Sequence, residues 1–289
     1  MKIKILIPIY NDWKSVDKLI SEIDTKIKDL NHEFSIIIID DGSIEVKSDQ
    51  FENLENLKSL KIIHMKHNIG HQRCIATGLK YINENEEFDY IIPMDGDGED
   101  RPDEIKLFID NIDYHSGAPI VGERIKRSEG IFFRIGYFFH KFLTLFFTGK
   151  SIKYGNFTLL PKSTVEKLIK DKSTWSSFSG ALSKVEKDLF STPSERGKRY
   201  FGPSQMNYKK LIVHSLSIIA VFKPSVIIRS IAFYAIYLIL ISNNLSIITC
   251  IPLGLIIIFV LIILKVSGRE SLENLNKSLE NINKVDIIK

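Results

Sequence analysis

The segment Met94-Asp95-Gly96-Asp97-Gly98-Glu99-Asp100 sets carboxylates at Asp95, Asp97, Glu99 and Asp100, the first three at alternate positions. Carboxylates spaced this way just beyond an apolar run can converge on one hard cation, and Mg2+ or Mn2+ suits them because it keeps waters and phosphate oxygens as further ligands. The same spacing opens an EF-hand loop, but that loop needs glycine where Asp100 stands and glutamate where Lys106 stands. A second acidic cluster, Asp40-Asp41-Gly42-Ser43, reads by itself as a turn. Neither G-x-G-x-x-G nor G-x-x-x-x-G-K-S/T occurs, so phosphate would be held by metal and side chains rather than by a glycine-rich loop.

These residues need elements to position them. Ile3–Ile7, Phe34–Ile39, Leu60–His64 and Tyr90–Met94 are short, largely β-branched runs separated by helix-length polar stretches, the pattern of a parallel sheet covered on both faces. Ligands of such sheets bind outside the carboxyl ends of the strands. Those ends are Pro8–Asp12, Asp40–Ser43, His67–Gly70 and Asp95–Asp100, and all but the third are acidic. Pro102 then starts a helix with Asp103 and Glu104 in its first turn, where the helix dipole favours them.

The chain has 289 residues, 44% apolar and 26% charged, which excludes a disordered chain, a collagen-like repeat and a transporter spread along the whole length. Its net charge of +4, with no Lys/Arg run interleaved with aromatics, gives no sign of nucleic acid as a partner and suits an anionic membrane face. Cys74 and Cys250 are too far apart for a disulfide framework or a cysteine zinc site. Met1–Tyr10, interrupted by Lys4 and Pro8, reads as a strand rather than a signal peptide.

Apolar character is concentrated from Val226 to Val266. Val226–Ser242 and Leu245–Val266, joined by Asn243-Asn244, are long enough for a helical hairpin that crosses a membrane twice. Lys209, Lys210, Lys223 and Arg229 precede it and Lys265 and Arg269 follow it, while the turn is uncharged. The positive-inside rule then describes a multi-pass protein of the cytoplasmic membrane with its domain and C-terminus in the cytoplasm. Residues 131–147, Phe-rich with Arg134, His140 and Lys141 among them, read as an interfacial helix or, alternatively, as a buried aromatic helix. Tyr208–Phe222 reads as an amphipathic helix that Pro224 ends or kinks. In the tail, Leu272, Leu275, Leu279 and Ile282 follow a and d spacing, which predicts a helix able to pack between subunits of a homo-oligomer.

Taken in order, Ile7-Pro8-Ile9-Tyr10-Asn11-Asp12, Asp40-Asp41-Gly42-Ser43, Asn68-x-Gly70 with Gly78-Leu79, and Asp95-x-Asp97-x-Glu99-Asp100-x-Pro102 resemble the family 2 glycosyltransferases of the GT-A fold. Within them the chain is most similar to polyprenyl-phosphate glycosyltransferases, the group of dolichyl-phosphate mannose synthases and bacterial undecaprenyl-phosphate sugar transferases. The resemblance covers residues 1–225, and bacterial members have a similar hairpin. It implies an α/β, Rossmann-like mixed sheet with helices on both faces, followed by a two-helix transmembrane hairpin. The implied divisions are a catalytic domain over 1–203, a juxtamembrane amphipathic helix over 204–224, two transmembrane helices over 225–266 and a cytoplasmic amphipathic tail over 267–289.

The resemblance also implies roles. Pro8, Tyr10, Asp12 and Asp41, with Gly70 beside them, would hold the nucleoside of a sugar nucleotide; Asp95 would lie near ribose and diphosphate; Asp97 and Glu99 would ligate Mg2+ or Mn2+. Glu99 stands where many relatives have glutamine. Arg124, Arg127 and Arg134 would receive the phosphate of a polyprenyl-phosphate acceptor, so that Asp95, Asp97, Arg124 and Arg134 form the catalytic set. Arg199–Met206 resembles an R-x-x-G-x-S-K segment that closes over the donor diphosphate, with Arg199 and Ser204 in place and Gln205 for the lysine, which puts more weight on Arg199. Gly155–Leu160 resembles a G-D-F-R-L-like segment with Asn156 for the acid and Thr158 for the arginine.

The implied reaction is inverting transfer of a sugar from a UDP- or GDP-sugar to a lipid phosphate among membrane lipids. A phosphate with a second pKa of about 6 needs no protein base at neutral pH. A hydroxyl acceptor on a glycolipid or polysaccharide precursor, the alternative, would need one, with Asp103 or Glu104 as the candidates. A processive polysaccharide synthase would need a Q-x-x-R-W element, which neither Trp13 nor Trp175 completes, and a non-catalytic scaffold would have no use for Asp95, Asp97 and Arg199.

Overall fold

A computed structural model describes residues 1–45, 51, 53–115, 117–126, 141–203 and 208–289. The strands are β1 (Lys2–Ile9), β2 (Glu33–Asp40), β3 (Ser59–Met65), β4 (Tyr90–Pro93), β5 (Ile120–Lys126), β6 (Tyr154–Pro161), β7 (Phe190–Glu195) and β8 (Ile282–Ile287). The helices are α1 (Trp13–Lys26), α2 (His71–Asn85), α3 (Ile105–Asp110), α4 (described over residues 141–148), α5 (Lys162–Leu168), α6 (Phe178–Val185), α7 (Tyr208–Ala220), α8 (Lys223–Ile241), α9 (Ile247–Ser267) and α10 (Leu272–Asn276).

One sheet runs in the order β7-β5-β6-β4-β1-β2-β3-β8. The four isoleucine-rich runs are its parallel centre, β4-β1-β2-β3. The flanks make it mixed: β6 and β8 run antiparallel to β4 and β3, and β5 pairs antiparallel with β6 and parallel with β7. Side chains alternate across the centre as a pleated strand requires. Ile3, Ile5 and Ile7 of β1 with Phe34, Ile36 and Ile38 of β2 meet α1 and α3, whereas Leu6, Ile37 and Ile39 meet α2, α5 and α6. Both faces are dry, so the polar strand ends are left to face outward at the carboxyl edge.

α8 and α9 contain windows of mean hydropathy 1.9 and 3.2, with only 17% and 11% of those residues buried. Ile228, Ile239, Leu240, Ile247 and Ile248 are each at least 67% exposed, apolar surface of the kind that marks a membrane or protein interface. Pro224 lies in the first turn of α8 and separates it from α7, while a capping box of Ser246 and Thr249 starts α9. On α4, Phe147 packs on Phe259 of α9 with ring centroids 4.5 Å apart, yet Phe142 and Leu145 are exposed. Arg229 donates to the Phe146 carbonyl at 3.0 Å, placing a cation at the end of that helix. The described part of the Phe-rich segment therefore has one packed and one open face; residues 131–140 lie outside the described ones.

The tail differs from the heptad expectation. α10 is a single short helix, a 3₁₀ turn follows, and Ile282–Ile287 are β8. Of the four spaced residues only Leu275 is fully buried, and it packs on Ala76 and Trp175 of the same chain. The free N–H and C=O groups of the β3 edge offer β8 a ladder that so short a helix lacks. The chain thus leaves the domain through α7 and returns to it through β8, so both ends of the α8–α9 hairpin lie on the domain's side.

Lys4, inside β1 and 8% exposed, meets Glu86 at the end of α2 at 2.8 Å, and Lys61 of β3 meets the same carboxylate at 2.5 Å. Burial opposes the Glu86 charge, but the two ammonium groups outweigh it and hold its pKa below 4.5. A carboxylate depressed in this way stabilises the fold above its unfolded pKa and stops doing so as pH falls through the folded value. Glu86→Gln is therefore expected to cost about 2–3 kcal/mol at neutral pH. Thermal unfolding in detergent checks this, and the gap between variant and parent should close as pH falls below the ordinary glutamate range.

Candidate active site

The carboxylates after β4 stand at the carboxyl edge of the sheet beside the ends of β1 and β2. Their loop is closed by Asp95 N–H donating to Asp100 Oδ2 and Glu99 N–H donating to Asp97 Oδ1, both at 3.0 Å. Gly98 adopts φ +85°, and a Cβ there would overlap the Tyr200 ring, so glycine is required by conformation and by space. The segment after β7 folds over this loop: Gly197 N–H donates to Glu99 O at 2.8 Å and Tyr200 N–H to Asp97 O at 2.9 Å. The Tyr200 hydroxyl is anchored on Glu22 of α1 at 2.5 Å. Arg199 Nη1 donates to Asp97 Oδ2 at 2.7 Å while its Nη2 donates to Asp12, and Arg196 pairs with Glu99. Both carboxylates expected at a cation thus carry an arginine.

Asp95 is held from the other side. Its Oδ1 accepts from Asn156 Nδ2 of β6 at 3.0 Å and lies 3.2 Å from His71 Nε2 in the first turn of α2. Gln72 Nε2 donates to Asn156 Oδ1 at 3.3 Å, and Phe178 N–H donates to Gln72 Oε1 at 2.8 Å. Arg124 lies against Gly155, where a Cβ would come 2.8 Å from Nη2, and its charge acts on Asp95 and Asp100. An acid in place of Asn156 would repel Asp95, so the amide matches this arrangement. Thr158 is buried in β6, its hydroxyl donating to Asn156 O at 3.2 Å.

Next to these lie the ends of β1 and β2. Asn11, at φ +51°, donates its N–H to Ser43 Oγ at 2.8 Å and accepts from Ile44 N–H at 2.9 Å. Buried Asp41 accepts from Ile69 N–H at 2.6 Å and Gly70 N–H at 2.9 Å, at the start of α2. Asp40 faces away: His64 Nδ1 lies 2.7 Å from it, and the other ring nitrogen reaches Asp286 of β8 at 3.1 Å. Pro8 pairs with Ile39 inside the sheet and Tyr10, 37% exposed, follows the strand. The structure thus brings Pro8, Tyr10, Asp12, Asp41, Gly70, Asp95, Asp97, Glu99, Arg124 and Arg199 to one edge, whereas Arg127, Arg134 and Ser204 lie outside the described residues.

Asp103 pairs with Arg101 at 2.5 Å, and buried Glu104 accepts from Ser194 Oγ and Glu195 N–H, both at 2.7 Å. Neither is poised as a base. Sequence reading passed over His71, Gln72, Arg196 and Tyr200. His71 has a local signal, since it follows Gly70 at a strand end, but Arg196 meets a partner 97 residues away and has none.

Burial and the Asp95 charge push Asp97 up to about 6 and Asp100 up to about 7. Asp95 behaves oppositely: burial disfavours its charge, yet His71, Asn156 and Arg124 hold it well below the usual carboxylate range. His71 is raised in turn by Asp95, against the effect of burial. Arg124, Arg196, Arg199 and His71 therefore do not balance Asp12, Asp95, Asp97, Glu99 and Asp100, and protons make up the difference. A divalent cation would relieve that excess, and carboxylate oxygens are the hard donors Mg2+ and Mn2+ take. The donor type fits such an ion, while the arrangement does not yet gather it: among the described residues no three of these side chains converge on one point, and Asp97 and Glu99 are turned to Arg199 and Arg196.

A mixed sheet of this order with an acidic carboxyl edge is the architecture of the GT-A fold. The chain belongs to glycosyl transferase family 2, whose family model matches residues 4–172. It is 26% identical over 135 residues to the undecaprenyl-phosphate 4-deoxy-4-formamido-L-arabinose transferase of Proteus mirabilis, a match spanning 46% of this chain and 40% of that protein. It is 25% identical over 137 residues to the dodecaprenyl-phosphate galacturonate synthase of Rhizobium johnstonii, spanning 46% and 39%. The matched region is thus less than half the length of these curated relatives. Among solved structures, the glucosyl-3-phosphoglycerate synthase of Mycobacterium tuberculosis in complex with Mn2+, UDP-glucose and phosphoglyceric acid superposes with a TM-score of 0.55 over 78% of this chain and 79% of that one, at 10% identity. S. aureus TarS 1-349 gives 0.50 over 97% and 88%, at 11% identity. At such identities the likeness establishes the fold.

The His71–Asp95 contact has a titration signature. In metal-free protein the His71 imidazole is expected to titrate above 6.5, and Asp95→Asn is expected to lower that midpoint, as read by NMR of the ring protons. A midpoint indifferent to Asp95→Asn would show that the contact is not made in solution.

Proposed function

We propose that the chain is a membrane-bound inverting glycosyltransferase that moves a sugar from a UDP- or GDP-sugar to a polyprenyl phosphate at the cytoplasmic face of the membrane. The observation that carries this reading is an acidic sheet edge short of cations, built into the same unit as the exposed α8–α9 hairpin. Such a site suits a metal-bound nucleoside diphosphate beside a lipid phase. The Proteus and Rhizobium relatives, both named for prenyl phosphates, support the acceptor class. Both hairpin ends lie on the domain's side, flanked by Lys209, Lys223, Lys265 and Arg269, which supports a cytoplasmic domain and C-terminus.

Asp97 and Glu99 would hold Mg2+ or Mn2+ with Asp95 beside them, and the bound ion supplies neutralisation of the departing diphosphate, worth several kcal/mol. Pro8, Tyr10 and Asp12 bind the nucleoside, while Asp41 fixes the backbone at Gly70 that borders it. Arg199, now shared by Asp12 and Asp97, is the guanidinium within reach of the diphosphate, with Ser204 following it in the chain. His71 and Asn156 keep Asp95 ionised. Arg124, Arg127 and Arg134 take the acceptor phosphate, for which guanidinium forks are well matched. That phosphate, with a second pKa of about 6, attacks the anomeric carbon without a protein base. The reading agrees with Asp103 and Glu104 being engaged elsewhere, whereas a hydroxyl acceptor would need a base. Attack opposite the leaving diphosphate inverts the centre.

Asp97→Ala is expected to lower transfer of label from nucleotide sugar into undecaprenyl phosphate by about a hundredfold or more, with the thermal midpoint kept; unchanged turnover would remove Asp97 from the site. Arg134→Ala is expected to raise the KM for lipid more than for donor, and equal effects on both would take it out of the acceptor site.

A further inference from the structure

Where the hairpin rejoins the domain, positive charge is left over. Glu270, just beyond α9, has a side chain only 3% exposed and lies 3.4 Å from Lys223 at the start of α8 and 3.7 Å from Lys172. Both lysines meet Oε2, while Oε1 is buried without a hydrogen-bond partner, so this one carboxylate faces two ammonium groups. Its neighbour Arg269 donates to Ser217 Oγ at 3.4 Å. Arg73, in the first turn of α2, lies over the Trp175 ring at 5.4 Å and donates to the Ile69 carbonyl at 3.4 Å. These are long bonds to neutral acceptors, and neither guanidinium has a carboxylate salt-bridge partner among the described residues. Geometry brings the two together: Lys172, which meets Glu270 next to Arg269, and Trp175, which Arg73 covers, are the two ends of one 3₁₀ turn, Lys172–Trp175. Burial and the Arg269 charge both lower the Arg73 pKa, in keeping with that proximity, and Asp41, which offsets this in part, is engaged by Ile69 and Gly70 N–H.

The place of this pair in the fold says what would relieve it. Arg269 stands two residues past the end of α9, at the level of lipid phosphates if the hairpin inserts as proposed above, on which this inference rests. Guanidinium groups bind phosphate through forked, charge-assisted hydrogen bonds. We propose that Arg73 and Arg269 clamp the headgroup phosphate of an anionic phospholipid at the membrane boundary. The turn of α2 that carries Arg73 also carries His71 on Asp95 and Gln72 on Asn156, so a lipid bound there braces the turn that holds the catalytic edge.

The test is the thermal midpoint of the full chain in detergent micelles, titrated with phosphatidylglycerol, with phosphatidylcholine, or with inorganic phosphate. About 0.3 M NaCl screens diffuse attraction. Phosphatidylglycerol is expected to raise the midpoint saturably and the other two are not. Arg269→Gln alters an exposed side chain with one long bond, and is expected to raise the half-saturating phosphatidylglycerol roughly tenfold; adding Arg73→Gln should bring this to roughly a hundredfold. The charge-matched pair Lys209→Gln and Lys265→Gln should change it by less than about twofold. Equal losses in the two double variants, an unaltered response in Arg269→Gln, or an arginine-dependent rise with inorganic phosphate alone would each overturn the clamp. Because the readout is lipid binding, a protein that transfers sugar yet ignores phosphatidylglycerol would refute the clamp and leave the proposed function standing.

Discussion

Repulsion among the crowded, partly buried carboxylates at the end of β4 is the constraint around which the rest of the molecule is arranged. Asp95, Asp97 and Asp100 follow a fully apolar strand, and Asp12 of the adjoining strand end shares their surroundings. Left alone, such a group would bind protons and lose its negative charge. Each neighbouring element supplies some relief: α2 brings His71, β5 brings Arg124, β6 brings Asn156, and the segment after β7 brings Arg196 and Arg199. The antiparallel flank of the sheet is therefore part of the site, because without β5, β6 and β7 the parallel centre would carry an acidic edge with few counter-charges. What the protein leaves uncompensated, seen in the raised Asp97 and Asp100, is the charge that the proposed cation would relieve.

The apolar α8–α9 hairpin is joined to the domain at two places. α7 leads out of the domain, and β8 leads back to the outer edge of β3, where His64 links Asp286 of the tail to Asp40 at the end of β2. Glu270 clasps the start of the hairpin and the domain together from the exit side. Hairpin and α/β domain are thus two parts of one folded unit, as the proposed transfer from a soluble donor to a lipid acceptor requires.

Much of this was legible in the amino-acid order, and for local reasons. Isoleucine runs with polar spacers placed β1 to β4 to within two residues at either end, because strands buried on both faces are written as near-continuous apolar runs. The Asp95–Asp100 loop, Asp41 and Asp12 could be found because sheet topology brings every strand end to one edge. The long apolar runs marked α8 and α9, and Pro224 the break before them. Two kinds of feature were not legible. Leu272, Leu275, Leu279 and Ile282 keep helical spacing, but the open edge of β3 was a stronger partner than a second helix, and nothing near Ile282 announces a strand pairing more than 200 residues back. Arg196 and Tyr200 likewise act across the chain, and a sequence window carries no record of such contacts.

The claim that the acidic edge is completed by a divalent cation and a nucleoside diphosphate is tested most directly by titrating the purified full chain with Mn2+ and following free Mn2+ by EPR, with and without UDP or GDP. A bound ion whose affinity rises by about tenfold or more with one of the nucleotides is the expected result. A free-Mn2+ signal that the protein leaves unchanged, with either nucleotide present, would contradict it.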